Sequence, residues 1–78
     1  MNIIDFVKNF ADQFDNTPES TFKPETRFRD LEEWDSMIAL AIMAMADAKY
    51  DVRITPDEMT NSQTIEELYK IVSSKSNG

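Results

Sequence analysis

Ten consecutive apolar residues, Met37 to Ala46, occupy the middle of a chain of 78 residues. A stretch of this length is about half of the roughly 20 residues that a membrane-spanning helix needs. Asp35 precedes Ser36 and this stretch, and its carboxylate is suited to capping a helix, because it can accept a hydrogen bond from an otherwise unpaired backbone N–H. The pattern therefore predicts a helix of a soluble protein that runs from about Ser36 to Lys49 or Tyr50.

The composition removes most enzymatic chemistry. The chain contains no His and no Cys, so it has no imidazole base, no thiol nucleophile, no disulfide and none of the commoner metal ligands other than carboxylates. Its formal net charge is -7, from 15 acidic and 8 basic residues, which argues against binding to nucleic acid or to an anionic membrane. We therefore expect a protein that carries a substrate rather than converts it, and whose acids meet basic protein surfaces.

The length allows one domain. We predict a single domain over residues 1–78, with an ordered core over about residues 3–73 and a polar tail over residues 74–78. The first five residues have no basic segment, and Asp5 interrupts their apolar run, so they do not resemble a signal peptide. We expect a cytoplasmic monomer with no insertion into a membrane.

A first helix and a long loop precede the central helix. Residues 3–14 carry apolar side chains three to four positions apart, which predicts an amphipathic helix that ends near Asp15-Asn16. The apolar stripe consists of Ile3, Ile4, Phe6, Val7, Phe10, Ala11 and Phe14. Residues 15–34 then form a long connection, of a kind that is normally functional or tied to the core. Its expected anchors are Phe22, Phe28, Leu31 and Trp34, with a short turn at residues 28–31.

Two capping boxes predict the remaining helices. Thr55-Pro56 followed by Glu58 predicts a short helix that ends by Asn61. Thr64 followed by Glu67 predicts a last helix over about residues 65–74. The apolar face of this last helix is Ile65, Leu68, Tyr69 and Val72, and Ile54 is expected to be buried in the link before the short helix. The fold class is therefore all-α: a small four-helix bundle of three main helices and one short helix, with a long first loop.

The motifs resemble those of acyl carrier proteins. Asp35-Ser36-Met37 at the start of an apolar helix resembles the Asp-Ser-Leu attachment motif of that family. Residues 50–54, Tyr-Asp-Val-Arg-Ile, resemble its aromatic-Asp-hydrophobic-x-hydrophobic exit from the second helix, and residues 64–68, Thr-Ile-Glu-Glu-Leu, resemble its entry to the last helix. The similarity covers about Phe6 to Val72 and is clearest over residues 28–72.

The resemblance implies a modified serine. Ser36 would carry 4'-phosphopantetheine, transferred from coenzyme A by a phosphopantetheinyl transferase, and Asp35 would act as helix cap and as part of the surface that the transferase recognises. The thiol of the group would hold acyl or aminoacyl groups as thioesters and would supply the sulfur that the side chains lack. The implied partners are this transferase, an acyl- or aminoacyl-loading ligase, and the synthases or transferases of a fatty-acid-like or specialised pathway.

Several positions depart from the family pattern. Glu33 stands where the most familiar motif has Gly, Trp34 directly precedes the motif, and Met37 replaces Leu. The second helix contains one acid, Asp47, although fatty-acid carriers usually spread acids along it. A helix that is apolar all round cannot bury every face in so small a domain, so we predict a partner surface that is more hydrophobic than usual. Its predicted residues are Trp34, Met37, Ile38, Ala41 and Met45, with the acids Asp30, Glu32, Glu33 and Asp35 on the preceding loop.

The other residues of the second helix are assigned to packing. Leu40, Ile42, Met43 and Ala44 are predicted to lie in the core. The small residues Ala39, Ala44, Ala46 and Ala48, together with Met43, fit either a tunnel for a cargo chain or close helix packing, and both interpretations stay open. Trp34 is interpreted as an anchor of the loop in preference to a contact for the arm or the substrate.

Other functions are weighed against the carrier. An unmodified helical interaction module, or a regulator that kept the fold and lost the arm, would bind a partner through the apolar face of the second helix. Hydrolysis catalysed by Glu32 and Glu33 is set aside, because these adjacent residues lack a pocket-forming fold and a further acid at the separation that such catalysis needs. Calcium binding is set aside too, because an EF-hand loop needs a central Gly and the only Gly is Gly78.

Overall fold

The computed structural model describes residues 2–76 and confirms the all-α fold. Its elements are α1 (Ile3–Ala11), α2 (Ser36–Tyr50), α3 (Pro56–Asn61) and α4 (Ile65–Ser76), with single-turn 3-10 helices at Glu19–Thr21 and Phe28–Asp30. The described residues contain no strand, but an isolated antiparallel bridge pairs Arg27 with Thr64. Across the same residues, no helix combines the length and the hydropathy that crossing a membrane would require.

A cluster of aromatic rings forms the core beneath the long first loop. Phe10 is fully buried, and its ring centroid lies 5.4 Å from that of Phe28 and 6.3 Å from that of Phe22. The predicted loop anchors Phe22 and Phe28 are thus confirmed, and Leu31 and Trp34 pack half-buried against the same core. The rest of the core comes from α2, the link after it, α3 and α4, which bury the side chains of Ile42, Met45, Ala46, Val52, Ile54, Met59, Ile65, Leu68 and Val72.

The buried side of α1 is narrower than its sequence pattern predicts. The side-chain oxygen of Asn2 caps the helix by accepting a hydrogen bond from Asp5 N at 2.9 Å. Phe6 and Phe10, four residues apart, are fully buried. Ile4, which the predicted stripe included, is 78% exposed, because it lies about 200° from Phe6 around the helix.

The α1 helix ends at Ala11, three residues short of the predicted range 3–14. Gln13 N donates to the carbonyl of Phe10 at 3.1 Å, and Phe14 N donates to that of Ala11 at 3.0 Å. These bonds span three residues instead of four, so the chain tightens as it leaves the helix. Phe14 is still buried, with its ring centroid 5.7 Å from that of Phe10.

The backbone of the first loop caps α4. The carbonyl of Pro24 accepts a hydrogen bond from Glu66 N at 2.8 Å. The carbonyl of Thr26 accepts one from Ile65 N at 3.2 Å. Both donors belong to the first turn of a helix, where N–H groups have no intrahelical acceptor. The loop is therefore tied to the core, as its length led us to expect.

Arg29 ties the same loop to the end of α3. Its guanidinium donates hydrogen bonds to the carbonyl oxygens of Met59 at 3.2 Å and Thr60 at 2.9 Å, and also to that of Ser62. The guanidinium carbon lies 5.2 Å from the centroid of the Phe28 ring. A positive charge at this end of a helix meets unpaired carbonyls and the negative end of the helix dipole.

The α2 helix ends at Tyr50, as predicted, and the residue after it has a left-handed backbone conformation. Asp51 has φ 57° and ψ 40°. The N–H of Asp51 donates to the carbonyl of Asp47 at 3.1 Å, which is the bond of an αL cap. The extended link that follows buries Ile54, as predicted.

The two capping boxes differ in detail. At α3 the box is complete: Thr55 Oγ1 accepts from Glu58 N at 3.1 Å, and Glu58 Oε1 accepts from Thr55 N at 2.9 Å. At α4, Thr64 Oγ1 accepts from Glu67 N at 3.1 Å. The Glu67 carboxylate, however, accepts from Gln63 N at 2.6 Å, one residue before the cap.

The α4 helix extends to Ser76, two residues beyond its predicted end. Lys75 Nζ lies 2.6 Å from Glu58 Oε1 and donates to the carbonyl of Arg53 at 2.9 Å. The hydrogen bond from Lys75 is the main cause that lowers the pKa of Glu58. Lys75 thus joins the last helix to the start of α3, and residues 77 and 78 of the predicted tail lie outside the described residues.

Candidate functional site

Ser36 is the first residue of α2, and the residue before it sets its position. Asp35 has an extended backbone, and its Oδ1 accepts a hydrogen bond from Ile38 N at 2.8 Å. The carbonyl of Asp35 accepts the first backbone bond of the helix, from Ala39 N at 3.0 Å. The predicted N-cap is confirmed, and it leaves Ser36 exposed to solvent.

The start of α2 offers N–H groups to an anion. Ser36 N and Met37 N precede the first backbone bond of the helix, so the helical pattern gives them no acceptor. Such donors, together with the positive end of the helix dipole, favour a phosphate. The Asp35 carboxylate is adjacent, but one of its oxygens is occupied by Ile38 N. A phosphodiester on the exposed Ser36 therefore fits this end of α2.

The Glu33 carboxylate binds the chain that leaves α1. Its Oε2 accepts a hydrogen bond from Asp15 N at 2.7 Å, and its Oε1 accepts one from Thr17 Oγ1 at 2.7 Å. Asn16 N donates to both oxygens, at 3.0 and 3.2 Å. We call this arrangement of Glu33 with residues 15–17 the Glu33 clasp. The Thr17 hydroxyl, followed by the backbone donors, lowers the pKa of Glu33.

The clasp changes the role predicted for Glu33. We predicted an acid of a solvated loop, available to a partner. Glu33 is instead half-buried, and its acceptors are taken by donors of its own chain. The arrangement is not evident from the sequence, because the donors lie 16 to 18 residues earlier. The only sequence signal is a Glu at the position where the family's motif has Gly.

Trp34 packs on the aromatic cluster. Its ring centroid lies 4.9 Å from that of Phe28 and 6.3 Å from that of Phe14. The ring is nearly parallel to that of Phe10, at 6.5 Å and 5°. Trp34 N also donates to the carbonyl of Leu31 at 3.0 Å. These contacts confirm the interpretation of Trp34 as an anchor of the loop.

The other acids of the loop are exposed. Asp30, Glu32 and Asp35 are all in contact with solvent. Asp30 Oδ2 lies 3.5 Å from Arg27 Nε, with the two side chains 74% and 60% exposed, and an ion pair so open to water contributes little to stability. These three acids, unlike Glu33, are therefore accessible on the stretch of chain that precedes Ser36.

The exposed side of α2 is apolar. The apolar face of α2 consists of Met37, Leu40, Ala44 and Ala48. Met37 and Leu40 are 72% and 61% exposed, and the two alanines are exposed as well. Their spacing of three or four residues places all four on one side of the helix. Ile38 and Ala41, also predicted for the partner surface, are half-buried.

The structure corrects three predictions for α2. Leu40 and Ala44, which we assigned to the core, are exposed, whereas Met45, which we assigned to the partner surface, is 5% exposed. The reason is that Ile42, Met45 and Ala46 form the side of the helix that packs on the core. A helix that is apolar all round carries no periodic signal from which its buried side can be identified.

The alanines of α2 serve different purposes. Ala46 is fully buried, which fits close helix packing. Ala44 instead lines an open groove of about 350 Å³ between α2 and the start of α3, together with Met43, Ile54 and Pro56. The groove lies toward the C-terminal half of α2, away from Ser36 at its start.

The comparisons with known proteins identify the family of the chain. A family model described as a phosphopantetheine attachment site matches residues 5–72. The matched stretch includes the start of α2 and most of the helical core. Comparison with curated proteins and with solved structures finds no match.

Proposed function

The chain belongs to the phosphopantetheine attachment-site family, the domain of acyl carrier proteins, and on this premise we propose that Ser36 bears the group and that the protein presents acyl or aminoacyl cargo to enzymes. Members of this family carry covalent 4'-phosphopantetheine and act as carriers. The observation that carries the assignment is the exposed Ser36 at the N-terminus of α2, directly after its capping residue. We place its work in the cytoplasm, in a fatty-acid-like or specialised biosynthetic pathway.

The loading step is a phosphoryl-type transfer to the Ser36 hydroxyl. A new bond forms between Ser36 Oγ and the phosphorus that bears the pantetheine arm of coenzyme A. The pyrophosphate bond of coenzyme A breaks, adenosine 3',5'-bisphosphate leaves, and the transferase takes the hydroxyl proton. Once attached, the group supplies a terminal thiol that forms thioesters with the cargo.

The residues around Ser36 prepare the site for this modification. Asp35 fixes the first turn through Ile38 N, which holds Ser36 at the solvent-exposed start of the helix. Ser36 N and Met37 N favour the phosphate of the attached group. Because Asp35 is exposed and adjacent, it is also placed to be read by the transferase.

We propose the apolar face of α2 as the docking surface for partner enzymes. The face begins at Met37, next to Ser36, and Leu40 continues it. A loading ligase, a synthase or a transferase would contact it with an apolar patch, and basic residues of that partner would meet Asp30, Glu32 and Asp35 at the edge. Met37 suits several partners, because an unbranched thioether adapts its shape. Met45 has no part in this surface while it is buried.

The test is the intact mass of the purified protein before and after incubation with a broad-range phosphopantetheinyl transferase and coenzyme A. We expect a gain of one phosphopantetheinyl group, absent in the Ser36→Ala variant. Circular dichroism of both proteins controls for folding. A folded, initially unmodified protein that gains no mass would overturn the carrier function and favour an unmodified interaction module that uses the apolar face of α2.

A further inference from the structure

The start of α2 has little support from the core. The first fully buried residue of the helix is Ile42, six positions after Ser36. Within the first turn and a half, Met37 and Leu40 are exposed and Ile38 is only half-buried. The position of Ser36 therefore depends strongly on the segment that precedes it.

Three consecutive residues before Ser36 are each held by a different contact. Asp35 caps the helix through Ile38 N. Trp34 packs on the aromatic cluster. Glu33 binds residues 15–17 through the clasp. Of the three, the clasp is the one that joins this segment to residues 15–17 by hydrogen bonds.

The Glu33 clasp is built from strong bonds. Hydrogen bonds to an ionised carboxylate are shorter and stronger than bonds between neutral groups, and the two shortest here measure 2.7 Å. Both carboxylate oxygens are engaged, so the side chain cannot rotate without breaking bonds to Asp15, Asn16 or Thr17. The side chain of Glu33 is thus fixed both in its orientation and in its distance from residues 15–17.

We propose that Glu33 is a positioning residue for the modification of Ser36: by holding the segment before α2 to residues 15–17, it presents the serine hydroxyl to the transferase in a fixed geometry. The inference rests on the proposed function, because it concerns the same serine. Glu33 makes no contact with the reacting atoms and acts only through the backbone of residues 34 and 35. A glycine at this position would have no side chain with which to form the clasp.

The experiment compares transferase kinetics of Glu33→Gln with those of wild type, with coenzyme A in excess. Glutamine keeps the size of the side chain, but it has one acceptor oxygen and places an NH2 group against N–H donors. We expect kcat to fall about tenfold with little change in KM, since a misplacement on the order of 1 Å can cost up to about 100-fold in rate. Glu25→Gln, an equal charge change at an exposed residue of the same loop, should behave as wild type.

Thr17→Val provides a second variant that leaves Glu33 in place. It removes the hydroxyl that donates to Oε1 at 2.7 Å and keeps the backbone donors. We expect about a threefold fall in kcat, because part of the clasp remains. This variant keeps the proposal testable where Glu33→Gln does not fold.

Amide hydrogen exchange separates positioning from general destabilisation and needs no enzyme. In Glu33→Gln, exchange of the Ile38 amide should become about tenfold faster, while amides in α4 stay as protected as in wild type. Equal acceleration in both helices, or kcat/KM within about twofold of wild type in a folded variant, would overturn the positioning role. If wild-type Ser36 is never modified, the proposed function fails, whereas the exchange result still decides whether the clasp holds the start of α2.

Discussion

The segment before Ser36 is fixed by specific contacts, whereas the helix face after it is open to solvent. Residues 33–35 each have a defined contact: a clasp to residues 15–17, packing on aromatic rings and a helix cap. Beyond Ser36, by contrast, Met37 and Leu40 are mostly exposed. The attachment residue thus lies at the boundary between a fixed segment and an open apolar surface.

The difference separates two tasks of a carrier. A group transfer to a hydroxyl requires a fixed geometry, because small errors of position slow the reaction. Recognition of several enzymes requires a surface that adapts, which apolar and thioether side chains allow. In this molecule the first task falls to the loop and the second to α2.

The largest effect is expected for Phe28→Ala, which removes the support of the fixed segment. Phe28 is fully buried and contacts both Phe10 and Trp34. Truncation of a buried Phe costs about 3–5 kcal/mol, a large part of the stability of so small a domain. Urea unfolding followed by circular dichroism measures the loss. Met37→Ala is the matched control and should change stability by less than about 0.5 kcal/mol; similar losses for both variants would contradict the assigned packing.

A smaller effect is expected for Leu40→Ser, which alters the open surface. We expect KM of the transferase to rise about fivefold to tenfold, equivalent to about 1 kcal/mol, with kcat unchanged. Because the contact is apolar, added salt should change this difference little. Ala48→Ser, at the far end of the same face, is the control and should leave KM as in wild type. An unchanged KM for Leu40→Ser, combined with steep salt dependence, would assign docking to Asp30 and Glu32 instead.

The smallest effect is expected for the contact between α3 and α4, whose contribution to stability should depend on pH. The hydrogen bond from Lys75 holds the pKa of Glu58 below its ordinary value in the folded protein. Its stabilisation is therefore present above the unfolded pKa and is lost as the pH falls through the lowered folded pKa. Because the side chains of Glu58 and Lys75 are 29% and 35% exposed, we expect Glu58→Gln to cost less than about 1 kcal/mol at neutral pH.

Urea unfolding over a series of pH values measures this dependence. The difference between wild type and Glu58→Gln should shrink as the solution becomes acidic. Glu25→Gln controls for the charge change alone. A difference that stays constant down to strongly acidic pH would show that the carboxylate charge is not what stabilises the contact.

The parts of the fold that depend on neighbouring residues were predictable from the sequence. The caps at Asp35 and Thr55 follow from one or two side chains and the next turn, and both were confirmed. The bounds of α2 followed from the same signals. Local chemistry decides these two caps.

The features that the sequence did not predict correctly, or did not predict at all, have two physical causes. In α2 the residue types are apolar on every side, so nothing in the sequence distinguished the exposed Leu40 from the buried Met45. The Glu33 clasp and the Arg29 contacts instead join groups 16 to 33 residues apart. Polar partners so distant carry no periodic pattern, and only the folded chain brings them together.

Trp34 gives the molecule an optical reporter of its own. It is the single tryptophan of the chain, and it lies two positions before Ser36 while its indole rests on Phe28 and Phe10. The emission of an indole depends on the polarity and mobility of its surroundings. Intrinsic fluorescence therefore reads out the neighbourhood of the attachment serine directly, without a label, in the unmodified, the modified and the loaded protein.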